Sequence, residues 1–289
     1  MQFRILGPME LDDGPRHVAL PSGRARALLA LLVLHVGEVV PTDRLIDELW
    51  GEGPPATAAT VVQGLVSRVR RELEPGRGKG EQPVVLLTIG NGYRLDVEPD
   101  AVDANRFTRL LDESRRKAPD ARRACLREAL GLWRGPALAD FTYDPFAQRA
   151  ITTLAELRMS AVEEWIDAEL CLGRAAEVVP QLEELVGAHP FRERVHGLLM
   201  LALYRVGRQA DALDAYRKAR AILTGELGIE PGPELRRLEA AILRQDPELD
   251  AGPTPTAAEE ETPGGWLPAE RRTVTVVAVE VTAPTSPRC

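Results

Sequence analysis

The chain has 289 residues, with 36 Lys and Arg against 44 Asp and Glu, a formal net charge of −8 and 44% hydrophobic residues. That length allows about two domains of roughly 100 to 200 residues, and the acidic balance excludes a protein that coats nucleic acid through bulk charge. Cys125, Cys171 and Cys289 are single and far apart, which excludes a disulfide framework or a paired-cysteine zinc site and suits a reducing interior.

The first elements are a strand set, FRILGPMEL and then HVALP. Arg24 to Val36 (RARALLALLVLHV) is apolar almost all round and reads as a central helix. Its apolar run falls far short of the roughly 20 residues that span a bilayer, and no amino-terminal signal is present, so a cytoplasmic protein without membrane contact is expected. Thr42 is placed to cap a second helix, DRLIDELW, in which Leu45, Ile46, Leu49 and Trp50 recur at helical spacing. Trp50 reads as core packing at that helix's end, with a DNA-backbone contact through its indole N–H as the weaker alternative. Pro54 and Pro55 then break the chain.

A third helix follows from Ala56 to Leu73 (ATAATVVQGLVSRVRREL), with Val62, Leu65, Val66, Val69 and Leu73 on one stripe. Thr60, Gln63, Gly64, Ser67 and Arg71 lie on or beside the opposite face, which is small and polar at Gly64 and Ser67 and turns cationic at Arg68, Arg70 and Arg71. Such a face suits the DNA major groove, where bulk is excluded and phosphates lie alongside. Taken alone, a charge run on a helix is more often a solvated surface; the neighbouring elements shift the reading. Two short strands flank Gly90, Asn91 and Gly92, a hairpin signal, and three helices with a β-wing make a winged helix-turn-helix over residues 1–98. Residues 1–98 carry eleven Arg and Lys against thirteen Asp and Glu, yet residues 57–79 hold five cations against two acids. A local basic patch of this kind steers a protein onto DNA despite an acidic body.

After the acidic joint EPDA at 98–101 the sequence turns almost wholly helical, over residues 103–249. Helices are expected at 104–116, 121–133 and 145–172, then from near Arg174, Arg192, Arg208 and Pro233, separated by Pro119, RGPAL, Gly173, His189-Pro190, Gly207 and GIEPGP. GRAAEVV at Gly173 repeats as GRQADAL at Gly207, an offset of 34 residues. That is the tetratricopeptide (TPR) period, in which a glycine turn joins antiparallel helices and hairpins stack. The fold class is therefore mainly α with a small β part: a winged helix-turn-helix domain followed by an all-α TPR-like helical domain suited to protein contacts.

The order of elements, with LIDELWG closing the second helix, VSRVRREL ending the third and GNGYRL forming the wing, resembles the DNA-binding domain of OmpR-type response regulators. In that family the third helix reads the major groove and the wing touches backbone or minor groove. Matched residue by residue, the likeness implies DNA contacts at Thr60, Gln63, Ser67, Arg68, Arg70 and Arg71, and in the wing at Asn91, Tyr93 and Arg94; Gly64 and Ser67 are smaller than the residues often found there. LWRGPALADF at 132–141 and the run from His189-Pro190 through ELGIEPGPELRRLEAAIL resemble the bacterial transcriptional activator domain. Together the halves resemble the SARP family, the antibiotic regulatory proteins of actinobacteria, over residues 1 to about 249. The resemblance implies an activator that binds direct repeats in double-stranded promoter DNA, often of secondary-metabolite gene clusters, as a homodimer, and recruits RNA polymerase. No receiver domain precedes the winged helix, so control by aspartyl phosphate on this chain is not expected.

Residues 250–268 (DAGPTPTAAEEETPGGWLP) read as a disordered linker. At 269–289, ERRTVTVVAVEV forms a strand-like carboxyl-terminal stub that resembles the opening strand of class III nucleotidyl cyclase domains, with Glu280 where that family places a metal-binding aspartate. No catalytic residue, metal site or cofactor is expected: His17, His35, His189 and His196 lack ligand spacing, and GRGKG at Gly76 lacks the Ser or Thr and the preceding strand of a phosphate loop. The chain is thus expected not to be an enzyme. Two alternatives stay open, a helical adaptor whose winged domain serves protein contacts, and the amino-terminal part of a larger regulator carrying a cyclase-like domain.

Overall fold

A computed structural model describes residues 1–250 apart from 15, 18, 19 and 79, with backbone alone for 16 and 17. The expected linker, beyond Asp250, and the strand-like stub lie outside the described residues. The chain opens with an antiparallel sheet, β1 (Gln2–Arg4), β2 (Glu10–Asp13) and β3 (Arg16–His17), in that order, with Phe3 opposite Leu11 and both buried. Next come α1 (Arg24–Leu34), β4 (Val40–Pro41), α2 (Thr42–Trp50) and α3 (Ala58–Leu73), then the wing strands β5 (Leu86–Ile89) and β6 (Gly92–Leu95). The second sheet runs β4-β6-β5. As the all-round apolar pattern implies, α1 is the central helix, with Ala25 and Leu28 through Val33 buried.

Two local expectations change. α3 starts two residues later than its apolar spacing suggested, after the Pro54-Pro55 break. Thr42 does not cap α2. Pro41 occupies the cap position, and the Thr42 hydroxyl instead donates to the Asn91 carbonyl at the tip of the wing. Gly92 is required by a close backbone approach, since a Cβ there would stand 2.6 Å from the Val40 carbonyl oxygen.

The helical part comprises α4 (Asp103–Ser114), α5 (Pro119–Gly131), α6 (Pro145–Cys171), α7 (Ala175–Ala188), α8 (Glu193–Arg205), α9 (Gln209–Ile222, prolonged by a π turn) and α10 (Pro233–Arg244). Pro119, Pro145 and Pro233 each begin a helix, where a missing N–H costs nothing and the fixed φ is already helical. Gly173 and Gly207 have φ of +75° and +78°, and the residue after each donates its N–H five residues back, Arg174 to Glu169 at 3.0 Å and Arg208 to Leu203 at 2.9 Å. The sequence repeat is thus a structural one: the same left-handed glycine turn closes both helix hairpins.

Packing does not divide where the acidic joint lies. One core joins Phe3, Ile5 and Leu6, the inner faces of α1 and α3 and the wing strands to Phe107 of α4, Leu126 of α5 and Leu154 of α6. A second core begins at Ile166, further along α6, and takes in α7 to α10. Directional bonds seal the first core across the joint. The Asp103 carboxylate, 6% exposed, accepts the N–H groups of Ile5 (2.8 Å) and Leu6 (3.1 Å), with Arg134 at 3.8 Å. Arg26 of α1 and the Met9 N–H both bond Asp140, at 2.8 and 2.6 Å. On α6, buried Glu163 pairs with Arg192 and Arg194, and buried Glu169 with Arg123 and Arg174, so each acid taken out of water has two partners.

Candidate nucleic-acid interface

α3 carries the surface on which the expected contacts converge. Val62, Val66, Val69 and Leu73 are buried and Leu65 is partly so, which turns Thr60, Gln63, Gly64, Ser67, Arg68 and Arg71 outward, all exposed. Arg71 has no ion-pair or hydrogen-bond partner among the described residues. The Ser67 hydroxyl donates to the Gln63 carbonyl of its own helix at 2.9 Å, leaving its oxygen free to accept. Gly64 sits mid-face, and a Cβ built on it meets nothing within 4 Å. Nothing inside the fold therefore requires glycine at this point, although it weakens an exposed helix by about 1 kcal/mol relative to Ala. The helix backbone is uncovered there.

Two expected contact residues are turned inward. The Arg70 Nε donates to the Leu86 carbonyl and one of its terminal nitrogens to the Thr88 hydroxyl, both at 2.8 Å, while its guanidinium carbon lies 6.0 Å from the centre of the Tyr93 ring. Burial, and then the charge of nearby Arg77, lowers the Arg70 guanidinium from its ordinary value. Tyr93 is itself buried in the first core. Together they fix the wing to α3, which makes them positioning residues for the face. Arg94 is half-buried and paired with Asp96 at 3.1 Å, whereas Asn91 stands exposed at the wing tip. Of the other cations in the basic stretch, Arg77 faces Glu74 at 3.5 Å, and Lys79 lies outside the described residues.

The turn that starts α1 also joins this face. Arg68 donates to the Ser22 hydroxyl at 3.3 Å, and the exposed Arg24 guanidinium lies 5.1 Å over the ring of Trp50, which packs partly buried against the first core. Ser22 and Arg24 lie outside the set of contacts expected from the sequence. Their signal was PSGRAR, a small polar residue and two arginines where a helix begins. The assembled surface is a helix with a narrow, uncluttered midline at Gly64, cations at its carboxyl-terminal end and along one edge, and a hairpin held beside it.

Among the described residues, no helix is long and apolar enough to cross a membrane.

Residues 17–95 match the family described as "Transcriptional regulatory protein, C terminal", and residues 102–243 match the bacterial transcriptional activator domain. The chain is 40% identical to Transcriptional regulator RedD of Streptomyces coelicolor over 86% of its own length and 72% of that protein's. It is 39% identical to Regulatory protein DnrI of Streptomyces peucetius over 89% of its length and 98% of that protein's. Among solved structures it resembles Mycobacterium tuberculosis EmbR in complex with a low-affinity phosphopeptide, with a TM-score of 0.79 and 36% identity, covering 84% of this chain and 65% of that one.

Proposed function

Because the chain belongs to the SARP family of transcriptional activators, we propose that it is a sequence-specific DNA-binding activator that seats α3 in the major groove of direct repeats near promoters. The observation that carries this reading is the outer face of α3. The side chains of Thr60, Gln63 and Arg71 are exposed and make no hydrogen bond or ion pair among the described residues, a Cβ at Gly64 would meet nothing, and Arg70 clamps the wing alongside them. In this reading Arg68 and Arg71 contact phosphates or base edges, Thr60, Gln63 and Ser67 face bases, and Asn91 and Arg94 meet the backbone beside the groove. Two copies occupy the two repeats as a homodimer on DNA, and α4 to α10 contact RNA polymerase. The target genes are those of secondary-metabolite clusters, the protein works in the cytoplasm, and the chain has no catalytic role.

The fused first core supports the mechanical part of the proposal. Asp103, Asp140 and Arg134 bind the amino-terminal sheet and α1 directly to the helical part, so a polymerase contact on the helices is presented at a fixed angle to DNA. A gel-shift titration against the promoter regions around its own gene, with scrambled competitor and varied salt, tests the reading. Competitor-resistant shifts that footprint to spaced repeats are expected. Loss of every shift to scrambled competitor, with the protein folded, would overturn it in favour of a protein-contact role for the winged domain.

A further inference from the structure

A crevice of about 470 Å³ opens where the winged-helix elements meet the helical part, with walls from the end of α1, α2, α4 and the first turns of α6. Its floor is apolar: Ile5, Val33, Val102 and Leu154 line it, each 8% exposed or less. Its rim is cationic. Arg149 of α6 reaches it with no ion-pair or hydrogen-bond partner among the described residues. Arg44 of α2 donates at 2.9 Å to the His35 Nε2 and lies 3.8 Å from Glu48, the one carboxylate on the wall. Thr108 donates its hydroxyl to the Ala104 carbonyl and Asn105 its amide to the Pro99 carbonyl, and both residues line the crevice.

From this geometry we propose that the crevice binds a small organic acid with an apolar body, its anionic group held by Arg149 and Arg44 and its body on the Ile5, Val33, Val102 and Leu154 floor. The volume lies within the roughly 300–1,000 Å³ of small-molecule sites, and a mostly apolar lining with a few convergent polar groups is their usual make-up. Two guanidinia against one carboxylate select an anion, and a planar guanidinium pairs with a carboxylate or sulfonate by two parallel hydrogen bonds. Two guanidinia lining the same crevice as a buried apolar floor are what distinguish this site from a packing defect: Arg149 is exposed and Arg44 approaches it from α2, with Ile5, Val33, Val102 and Leu154 between the same walls.

The test is a fluorescence titration of the full chain with anilinonaphthalene sulfonate, an anion with an apolar body, and with its uncharged parent, phenylnaphthylamine. Saturable binding of one sulfonate per chain is expected. Arg149→Ala should weaken it about tenfold or more, the loss of one charge-assisted pair, while leaving the uncharged probe unaffected. Thr153→Trp, an exposed wall position, should fill the crevice and abolish both. Both variants alter exposed side chains, and unchanged thermal unfolding verifies their folds. Failure of the parent to bind, or sulfonate binding unchanged in Arg149→Ala or in Thr153→Trp, would overturn the proposal. The titration contains no DNA, so its outcome is separate from that of the gel shift.

Discussion

Thr42 holds the tip of the wing: its backbone N–H at 2.9 Å and its hydroxyl at 2.8 Å both donate to the carbonyl of Asn91. The start of α2 and the β5–β6 turn are thereby one unit. Thr42→Val keeps the shape and the N–H bond but removes the hydroxyl. It should lower stability by about 0.5–1.5 kcal/mol in urea unfolding and loosen the wing, seen as faster hydrogen exchange of the β6 amides. Unchanged exchange would mean that the strand pairing alone holds the turn.

Arg70 and Arg71 are neighbours with opposite employment. Arg70→Ala loses two hydrogen bonds and the contact over Tyr93, so it should destabilise the fold by about 1–3 kcal/mol. Arg71→Ala should leave stability within about 0.5 kcal/mol. If Arg71 neutralises one phosphate, its loss also reduces the salt slope of DNA binding by about one unit. Equal thermal shifts for the two variants would contradict the assignment.

Substitutions at Gly64 test the fold and the proposed DNA contact separately. Gly64→Ala should stabilise α3 by about 0.5–1 kcal/mol, because an exposed helical glycine is the costlier residue and a Cβ has open space. Gly64→Leu should remain folded yet lose DNA affinity by obstructing the groove. Calorimetry and gel shift on the same samples decide the point, and undiminished affinity in the Leu variant would remove α3 from the groove.

Asp103 tests the joint between the two parts. Asn at this position can accept only one of the Ile5 and Leu6 N–H groups without a clash of donors, so Asp103→Asn should cost about 1–3 kcal/mol. Burial pushes the Asp103 carboxyl up, against the pull of the Ile5 and Leu6 N–H groups and Arg134. A raised folded value means that this group's stabilising increment is fully present below its ordinary pKa and is lost as pH rises through the folded one. The stability advantage of the parent over Asp103→Asn should therefore be largest below the ordinary aspartate value and shrink as pH rises above it, measured by urea unfolding at each pH. An advantage that grows over this range would show that the N–H donors outweigh burial.

The periodic features are legible in the order of residues alone. Val62, Val66, Val69 and Leu73 fall on one stripe because a helix brings every third or fourth residue to one side, and that stripe is the buried one. Gly90-Asn91-Gly92 marks the hairpin, and the glycines 34 residues apart mark the repeated turn, because each backbone shape favours a residue without a Cβ. These are local rules, readable wherever the chemistry sits within a few residues of its cause. The tertiary structure decided which member of the 68–71 arginine run faces outward, since Arg70 takes its partners from β5, at Leu86 and Thr88. It also decided that Tyr93 is buried, that Ser22 and Arg24 join the face, and that the cores divide within α6 rather than at the acidic joint. Asp103 gives the physical reason. Its bonds to Ile5 and Leu6 span 98 and 97 residues, and no pattern around position 103 specifies an acceptor's need so far away. Hydrophobic periodicity sets which face a helix buries, while long-range hydrogen bonds and packing set what that face is buried against.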